Sequence, residues 1–184
     1  MNKKFRLAIA ILTILTVMFG VGVTVAYLVA SSKTVLNVFT IGDIQLSLTE
    51  TTGTDYQLVP GTTVKKDPKL TVKAGSDACW LFFEMDTSGN LGNYVTYTPA
   101  EGWKPVPGIK GAYYRQVEKT DEDVAFSLLQ GDVIHVKDTV TEEQLAAIKA
   151  SPTLAFTGYA VQKVELNTVE EAWQALFSEE ATDR

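Results

Sequence analysis

The sequence predicts an all-β fold, an antiparallel β-sandwich of the jelly-roll type with two short helices, preceded by an N-terminal hydrophobic helix. Three observations predict this class. Short segments in which apolar and polar residues alternate recur along the chain, turn signals separate them about every ten residues, and only two segments carry helix-start signals. A parallel sheet with crossover helices would need many more helical segments.

The N-terminal segment predicts export. Lys3, Lys4 and Arg6 form a basic head, and residues 7–30 follow without a charge, which is typical of a secretory signal or a membrane anchor. The small residues before Tyr27 favour cleavage between Ala26 and Tyr27. The alternatives are cleavage after Leu28-Val29-Ala30 and an uncleaved anchor. We therefore expect a signal peptide over residues 1–26, an N-terminal segment over 27–41 and a sandwich domain over 42–184. The product would be secreted to the extracellular matrix or the cell surface.

The charge balance argues against a nucleic-acid partner. The chain has 16 basic and 22 acidic side chains, and cleavage after Ala26 would leave 13 basic ones, for a formal charge of −9. Phosphate neutralisation needs clustered Lys and Arg, which this acidic chain lacks.

The clearest strand signal spans residues 38–50, where Ile44, Leu46 and Leu48 alternate with polar residues. The segment 79–85 is apolar on both faces and should be a central strand. Further strands are expected at residues 69–73, 94–98, 113–117, 124–128, 133–137 and 154–163. The Pro- and Gly-containing segments 58–68 and 98–112 between them predict loops.

Both expected helices begin with a capping box, at Thr141 and at Thr168. The second helix places five apolar residues at helical spacing, and we expect this face to pack on the sandwich. These residues are Val169, Ala172, Trp173, Leu176 and Phe177.

Residues for catalysis or metal binding are scarce in this sequence. It has one histidine, His135, which should point outward from a strand, and one cysteine, Cys79, which should be buried in an apolar run. Without a nucleophile–base pair, a zinc-binding motif or a glycine-rich phosphate loop, the sequence predicts no catalytic residue, metal ligand or cofactor.

Four motifs follow one another along the chain: "NVFTIGDIQLSLTE" after the hydrophobic segment, "VPGTTVKKDPKLTVKAGSDACWLFF", "GWKPVPGIKGAYYRQV" and "LAFTGYAVQK". Their order resembles the TasA and camelysin family of exported proteins of Gram-positive bacteria, which the signal peptidase SipW processes. The resemblance covers Ala26 to about Trp173. It implies a jelly-roll subunit of extracellular fibres in a biofilm matrix or on the cell surface, in which the mature N-terminus of one subunit completes the sheet of the next. The implied partners are further copies of the chain, a SipW-like signal peptidase and accessory matrix proteins.

Camelysin itself is described as a membrane-associated metallo-endopeptidase. The resemblance therefore implies a peptidase activity as the alternative, but no residues of this chain match a zinc ligand set. A membrane-tethered binding domain is a further alternative, and it requires that the hydrophobic segment be retained. Contact with a membrane is expected only through that uncleaved segment.

The segment between the cleavage site and Gly42 predicts how subunits would join. It is rich in apolar residues and has no local strand partner, and an unpaired strand edge is a template for another chain. We therefore predict a donor strand that inserts into a neighbouring subunit. The alternative is that the same residues form the first strand of their own sheet. The predicted donor residues are Tyr27, Leu28, Val29, Val35, Leu36, Val38, Phe39 and Ile41.

Overall fold

A computed structural model describes residues 31–53, 55–87, 90–148 and 152–178. The predicted signal segment, the predicted cleavage site between Ala26 and Tyr27, and the predicted donor residues Leu28 and Val29 lie outside these ranges. Within the described part of the chain, no helix has the length and hydropathy needed to cross a bilayer.

The described residues form mainly β-strands in three sheets, with three short α-helices and one short 3-10 helix, Gln130–Asp132. The strands are β1 (Ser31–Ile41), β2 (Leu46–Thr49), β3 (Asp55–Gln57), β4 (Thr63–Lys65), β5 (Lys69–Val72), β6 (Cys79–Thr87), β7 (Val95–Thr96), β8 (Lys104–Pro105), β9 (Ala112–Val117), β10 (Val124–Ser127), β11 (Val133–Val136) and β12 (Thr153–Gln162). The helices are α1 (Leu91–Tyr94), α2 (Glu142–Ala146) and α3 (Val169–Ser178).

The largest sheet has six strands in the order β3-β1-β12-β6-β9-β8. Its pairs are antiparallel except for β1 and β12, which run parallel. Two three-stranded antiparallel sheets, β10-β5-β2 and β4-β11-β7, complete the β-structure. The expected antiparallel arrangement is therefore confirmed for every strand pair in the described ranges except β1 with β12.

The main core lies between the six-stranded sheet and the two smaller sheets. Alternate residues of β6 and β12 point into it and meet buried residues of β5 and β11. The residues that show this layering are Leu81, Phe83, Phe156, Leu70, Val72, Ile134 and Val136. On the opposite face of the large sheet, Trp80, Phe82 and Tyr159 form a second cluster that α3 covers with Val169 and Ala172.

The expected central strand is confirmed. β6 pairs with β12 on one side and with β9 on the other, and its two apolar faces feed the two clusters. Cys79 at its start is fully buried, and burial raises the pKa of its thiol to about 11. The expected outward position of His135 is also confirmed, because Ile134 and Val136 are buried while the imidazole Nδ1 lies 2.9 Å from the Thr63 hydroxyl.

Several boundaries differ from the prediction. The expected strand 38–50 is divided, because β1 ends at Ile41 and β2 begins at Leu46. Two segments expected as loops contain the short strands β4 and β8, and β3 was not predicted. The strand expected at residues 94–98 is shortened to β7, because α1 extends to Tyr94. These strands are only two or three residues long, so they carry no readable alternation.

Both predicted capping boxes are confirmed. The Gln144 N–H donates to the Thr141 hydroxyl and the Gln144 side chain accepts from the Thr141 N–H, and Glu171 and Thr168 make the same reciprocal pair. The apolar face of α3 packs on the large sheet as expected, but its last aromatic, Phe177, remains 44 % exposed.

Candidate assembly site at the N-terminal strand

β1 lies between β12 and β3. It runs parallel to β12 over nine residue pairs, from Lys33 opposite Thr153 to Ile41 opposite Val161, and antiparallel to β3 over three. The first strand of the described chain is therefore held mainly by the last one. This is the self-pairing arrangement, one of the two alternatives for these residues.

Five of the eight predicted donor residues fall in β1, and the other three lie outside the described ranges. Their partners on β12 range in size from Gly158 to Tyr159. The pairs are Val35 with Ala155, Leu36 with Phe156, Val38 with Gly158, Phe39 with Tyr159 and Ile41 with Val161.

The side chains at the C-terminal end of β1 are poorly buried. Val38 and Ile41 are half-buried, Thr40 is exposed, and Phe39 is 56 % exposed. A strand whose apolar side chains remain so accessible contributes little to the core of its own chain. Strand pairing, rather than side-chain packing, accounts for the position of this part of β1.

Phe39 belongs to an exposed aromatic groove formed by Phe39, Tyr159, Leu176 and Phe177, with a volume of about 120 Å³. The Phe39 ring stacks on Tyr159 at a centroid distance of 5.5 Å, and Tyr159 also meets Phe177 at 5.8 Å. The Tyr159 hydroxyl donates to Glu84 Oε2 at 2.9 Å. Burial and this carboxylate raise the pKa of Tyr159, so the phenol stays protonated and fixes the ring under Phe39.

Gly42 separates β1 from the rest of the domain. Its φ is +92°, and the Ile44 N–H donates to the Gly42 carbonyl at 2.9 Å. A Cβ at this position would lie 2.8 Å from Gln162 Cβ, so a larger residue would be excluded by both backbone conformation and space. The turn therefore ends β1 in the six-stranded sheet, and the chain continues into β2 of the β10-β5-β2 sheet.

The strand β3, on the other side of β1, is fixed by a buried ionic cluster. Lys66 Nζ donates to Glu50 Oε1 at 2.6 Å and to Oε2 at 2.9 Å, and the Tyr56 hydroxyl of β3 donates to Glu50 Oε1 at 2.6 Å. The side chains of Lys66 and Glu50 are each 1 % exposed. Burial lowers the pKa of Lys66, and the hydrogen bond and charge of Glu50 act against that shift.

The loop between β2 and β3 is closed by Asp67. Its carboxylate accepts the backbone N–H groups of Thr51 and Thr52 and the Thr51 hydroxyl. These bonds, the Thr51 hydroxyl first, lower the pKa of Asp67 to about 2. Asp67 and the Glu50–Lys66 pair thus hold β3 in place as one wall of the position that β1 occupies.

Sequence reasoning did not identify this cluster, because lysine is rarely fully buried and a Lys–Lys–Asp run is typical of a solvated loop. The available signal was weak: Lys66 is followed by Asp67-Pro68 and the start of β5, so it sits where the chain turns into the core.

The rest of the described surface offers little conventional chemistry. Across the described ranges, no group of three or more His, Cys, Asp or Glu side chains is arranged to hold a metal ion. The chain matches no protein-family model, and searches of curated proteins and of solved structures found no match either.

Proposed function

We propose that this protein is the exported structural subunit of an extracellular fibre, and that it assembles by exchange of its N-terminal strand. In this proposal the domain is a sandwich of the jelly-roll type, and residues 27–41 of one copy occupy the position between β12 and β3 of the next. A SipW-like signal peptidase would release the N-terminus, and the main partner would be a further copy of the chain.

The placement of β1 is the observation that carries the proposal. β1 and β12 are the first and last strands of the described chain, and they pair in parallel, so no hairpin connects them. A copy of β1 from another molecule could adopt the same register on the β12 edge with the same backbone pairing.

The side chains of β1 support the same conclusion. Phe39 stacks on Tyr159 but stays largely exposed, and Val38 and Ile41 are only half-buried. This end of β1, Val38 to Ile41, therefore loses few core contacts when the strand leaves its own domain. Little apolar surface stays exposed after exchange, because the β1 of a neighbouring copy covers the surface that the departing strand uncovers.

Deletion of residues 27–37 from the mature protein tests the proposal. We expect the truncated chain to remain in the supernatant on ultracentrifugation under conditions in which the full mature chain sediments, because β12 would lack its donor. If the truncated chain sediments as fully as the intact one, strand exchange is not the mechanism of assembly.

A synthetic peptide of residues 27–37, the segment removed by the deletion, provides the matched control. It should bind the truncated domain with one-to-one stoichiometry and should shorten fibres of the intact chain by occupying free grooves. A peptide with Val35 and Asn37 replaced by proline should do neither, because proline removes the N–H groups that a strand uses for pairing.

A further inference from the structure

A second pocket lies at the opposite edge of the six-stranded sheet, where β8 ends. It has a volume of about 290 Å³ and is lined by Trp80, Gly102, Lys104, Tyr114, Arg115 and Gln116. β8 pairs with β9 only at Tyr113 and Tyr114. Arg115 and Gln116 of β9 therefore extend beyond the first residue of β8, Lys104. The pocket occupies the space beyond that end.

Arg115 is held in an unusual environment. Its guanidinium carbon lies 3.9 Å from the centroid of the Phe126 ring and 5.4 Å from that of Trp103. Its Nε is buried and has no hydrogen-bond partner, and in the part of the chain that the structure describes no carboxylate lies within salt-bridge distance of it. The aromatic rings fix the guanidinium plane, and the buried Nε–H has no acceptor among the described residues.

Gly102 keeps the guanidinium accessible. A Cβ on this glycine would lie 3.1 Å from a terminal nitrogen of Arg115, and its φ of +87° favours glycine on conformational grounds as well. The backbone therefore approaches Arg115 closely without covering it with a side chain.

The charge of the pocket contrasts with that of the chain. Two residues that line the pocket are charged at physiological pH, Lys104 and Arg115, and both are cations. The whole chain, by contrast, has a formal charge of −6. Lys104 also has no ion-pair partner among the described residues. By contrast, Lys66, Lys73 and Lys119 are each bound to a carboxylate. Burial lowers the pKa of Arg115, which agrees with a cation that lacks a counter-charge.

We propose that this pocket binds a carboxylate or phosphate group carried on a unit of about the size of one sugar ring. A planar guanidinium offers two parallel donors to such an oxyanion, and Lys104 supplies a second positive charge. The Gln116 amide can bond a neutral hydroxyl, while the edges of Trp80 and Tyr114 form an apolar wall. The volume lies at the lower end of the range for ligand sites, about 300 Å³ upward, which limits the occupant to a small unit.

The test uses three probes that share one ring: glucuronate, glucose 6-phosphate and glucose. The mature chain contains two arginines, Arg115 and Arg184, so its ¹⁵N spectrum should contain few Nε–H signals, and Arg115→Lys identifies the one from the pocket. We expect this signal to shift saturably with glucuronate or glucose 6-phosphate and to stay unchanged with glucose. If glucuronate binds more tightly, the recognised group is a carboxylate. If glucose 6-phosphate binds more tightly, it is a phosphate.

Two variants and a control complete the experiment. Isothermal titration calorimetry compares the variants, since Arg115→Lys removes the NMR signal. Lys104→Gln should weaken binding of the preferred anion about threefold, because one positive charge is lost, and Arg115→Lys about tenfold, because a point charge replaces a bidentate donor. Lys110→Gln removes an exposed lysine of the β8–β9 connection that does not line the pocket, and it should leave the affinity unchanged. Equal weakening by Lys110→Gln would show general charge attraction and overturn the proposal.

The result does not depend on fibre assembly, because the pocket and β1 lie toward opposite edges of the sheet. If the Arg115 signal ignores all three probes, the proposal is wrong. If it instead shifts with protein concentration alone, the pocket is a contact between copies of the chain, and the small-ligand proposal is equally overturned.

Discussion

A fully buried lysine requires a specific compensation, and Lys66 obtains it from Glu50 and Tyr56. The ammonium lies 4.6 Å from the centre of the Tyr56 ring and 5.5 Å from that of Phe156, in addition to its bonds with the carboxylate. Moving two charges out of water costs several kcal/mol for each ion, and a close ion pair only approximately offsets this. The cluster is therefore better understood as a specific link between the end of β2, β3 and the start of β5 than as a large source of stability.

This reasoning predicts an asymmetry between single and double substitutions. Lys66→Met should lower the free energy of unfolding by about 3–5 kcal/mol, because Glu50 would remain buried without a counter-charge. Urea unfolding followed by far-UV circular dichroism measures the effect.

The double variant Lys66→Met with Glu50→Leu is the control. It removes both charges and keeps a similar volume, so it should lose less than half as much stability as Lys66→Met alone. If the double variant is less stable than the single one, the ion pair contributes net stability and the interpretation given above is wrong.

Some residue environments could be predicted from the sequence and others could not. The burial of Cys79 followed from the apolar residues on both sides of it, and the exposure of His135 followed from strand alternation. Lys66 gave no such signal, because its burial depends on Glu50 and Tyr56, which approach it only after the strands have paired. Arg115 is similar: its unpaired Nε results from the aromatic rings that surround it rather than from its neighbours in sequence.

At the scale of elements, β12 determines how closely the two layers approach. Gly158 lies on the inner face of this strand, and a Cβ placed on it would be 2.4 Å from Leu70 Cδ2, which is fully buried in β5. The absence of a side chain at Gly158 thus permits the contact between the six-stranded sheet and the β10-β5-β2 sheet.

Gly158→Ala should therefore destabilise the domain by about 1–3 kcal/mol through overpacking, although the backbone there is compatible with alanine. Leu70→Val removes the clashing δ-carbons, so the alanine should have a smaller effect in that background. A double-mutant cycle by urea unfolding measures the coupling. Fully additive effects of the two substitutions would show that Leu70 is not the group that excludes a side chain at 158.

Long strands with clear alternation were predictable, whereas short strands and strand order were not. β5, β6 and β12 lie within a residue or two of their predicted ranges, because each has an apolar pattern of its own. β3 and β8 have two or three residues and are strands only because β1 and β9 lie beside them. The parallel pairing of β1 with β12 joins residues from opposite ends of the chain, and no local periodicity contains that information.

At the scale of the whole molecule, charge and assembly act against each other. Cleavage at the predicted site would leave a formal charge of −9 on each copy, so copies that meet repel one another. The proposed contact consists of backbone pairing and the apolar side chains of β1, and neither of these is weakened by salt. Added salt should therefore act mainly on the repulsion.

We expect the concentration of mature protein needed for fibre formation to fall as NaCl is raised from about 0.02 to 0.5 M, because the screening length shortens from more than 20 Å to a few ångströms. Sedimentation at a series of protein concentrations measures this threshold, and Lys104→Gln provides an internal comparison. If the threshold instead rises with salt in the parent chain and not in the variant, assembly depends on ion pairs at Lys104. The edge of the sheet formed by β8 and β9, rather than β1 alone, would then carry the contact between copies.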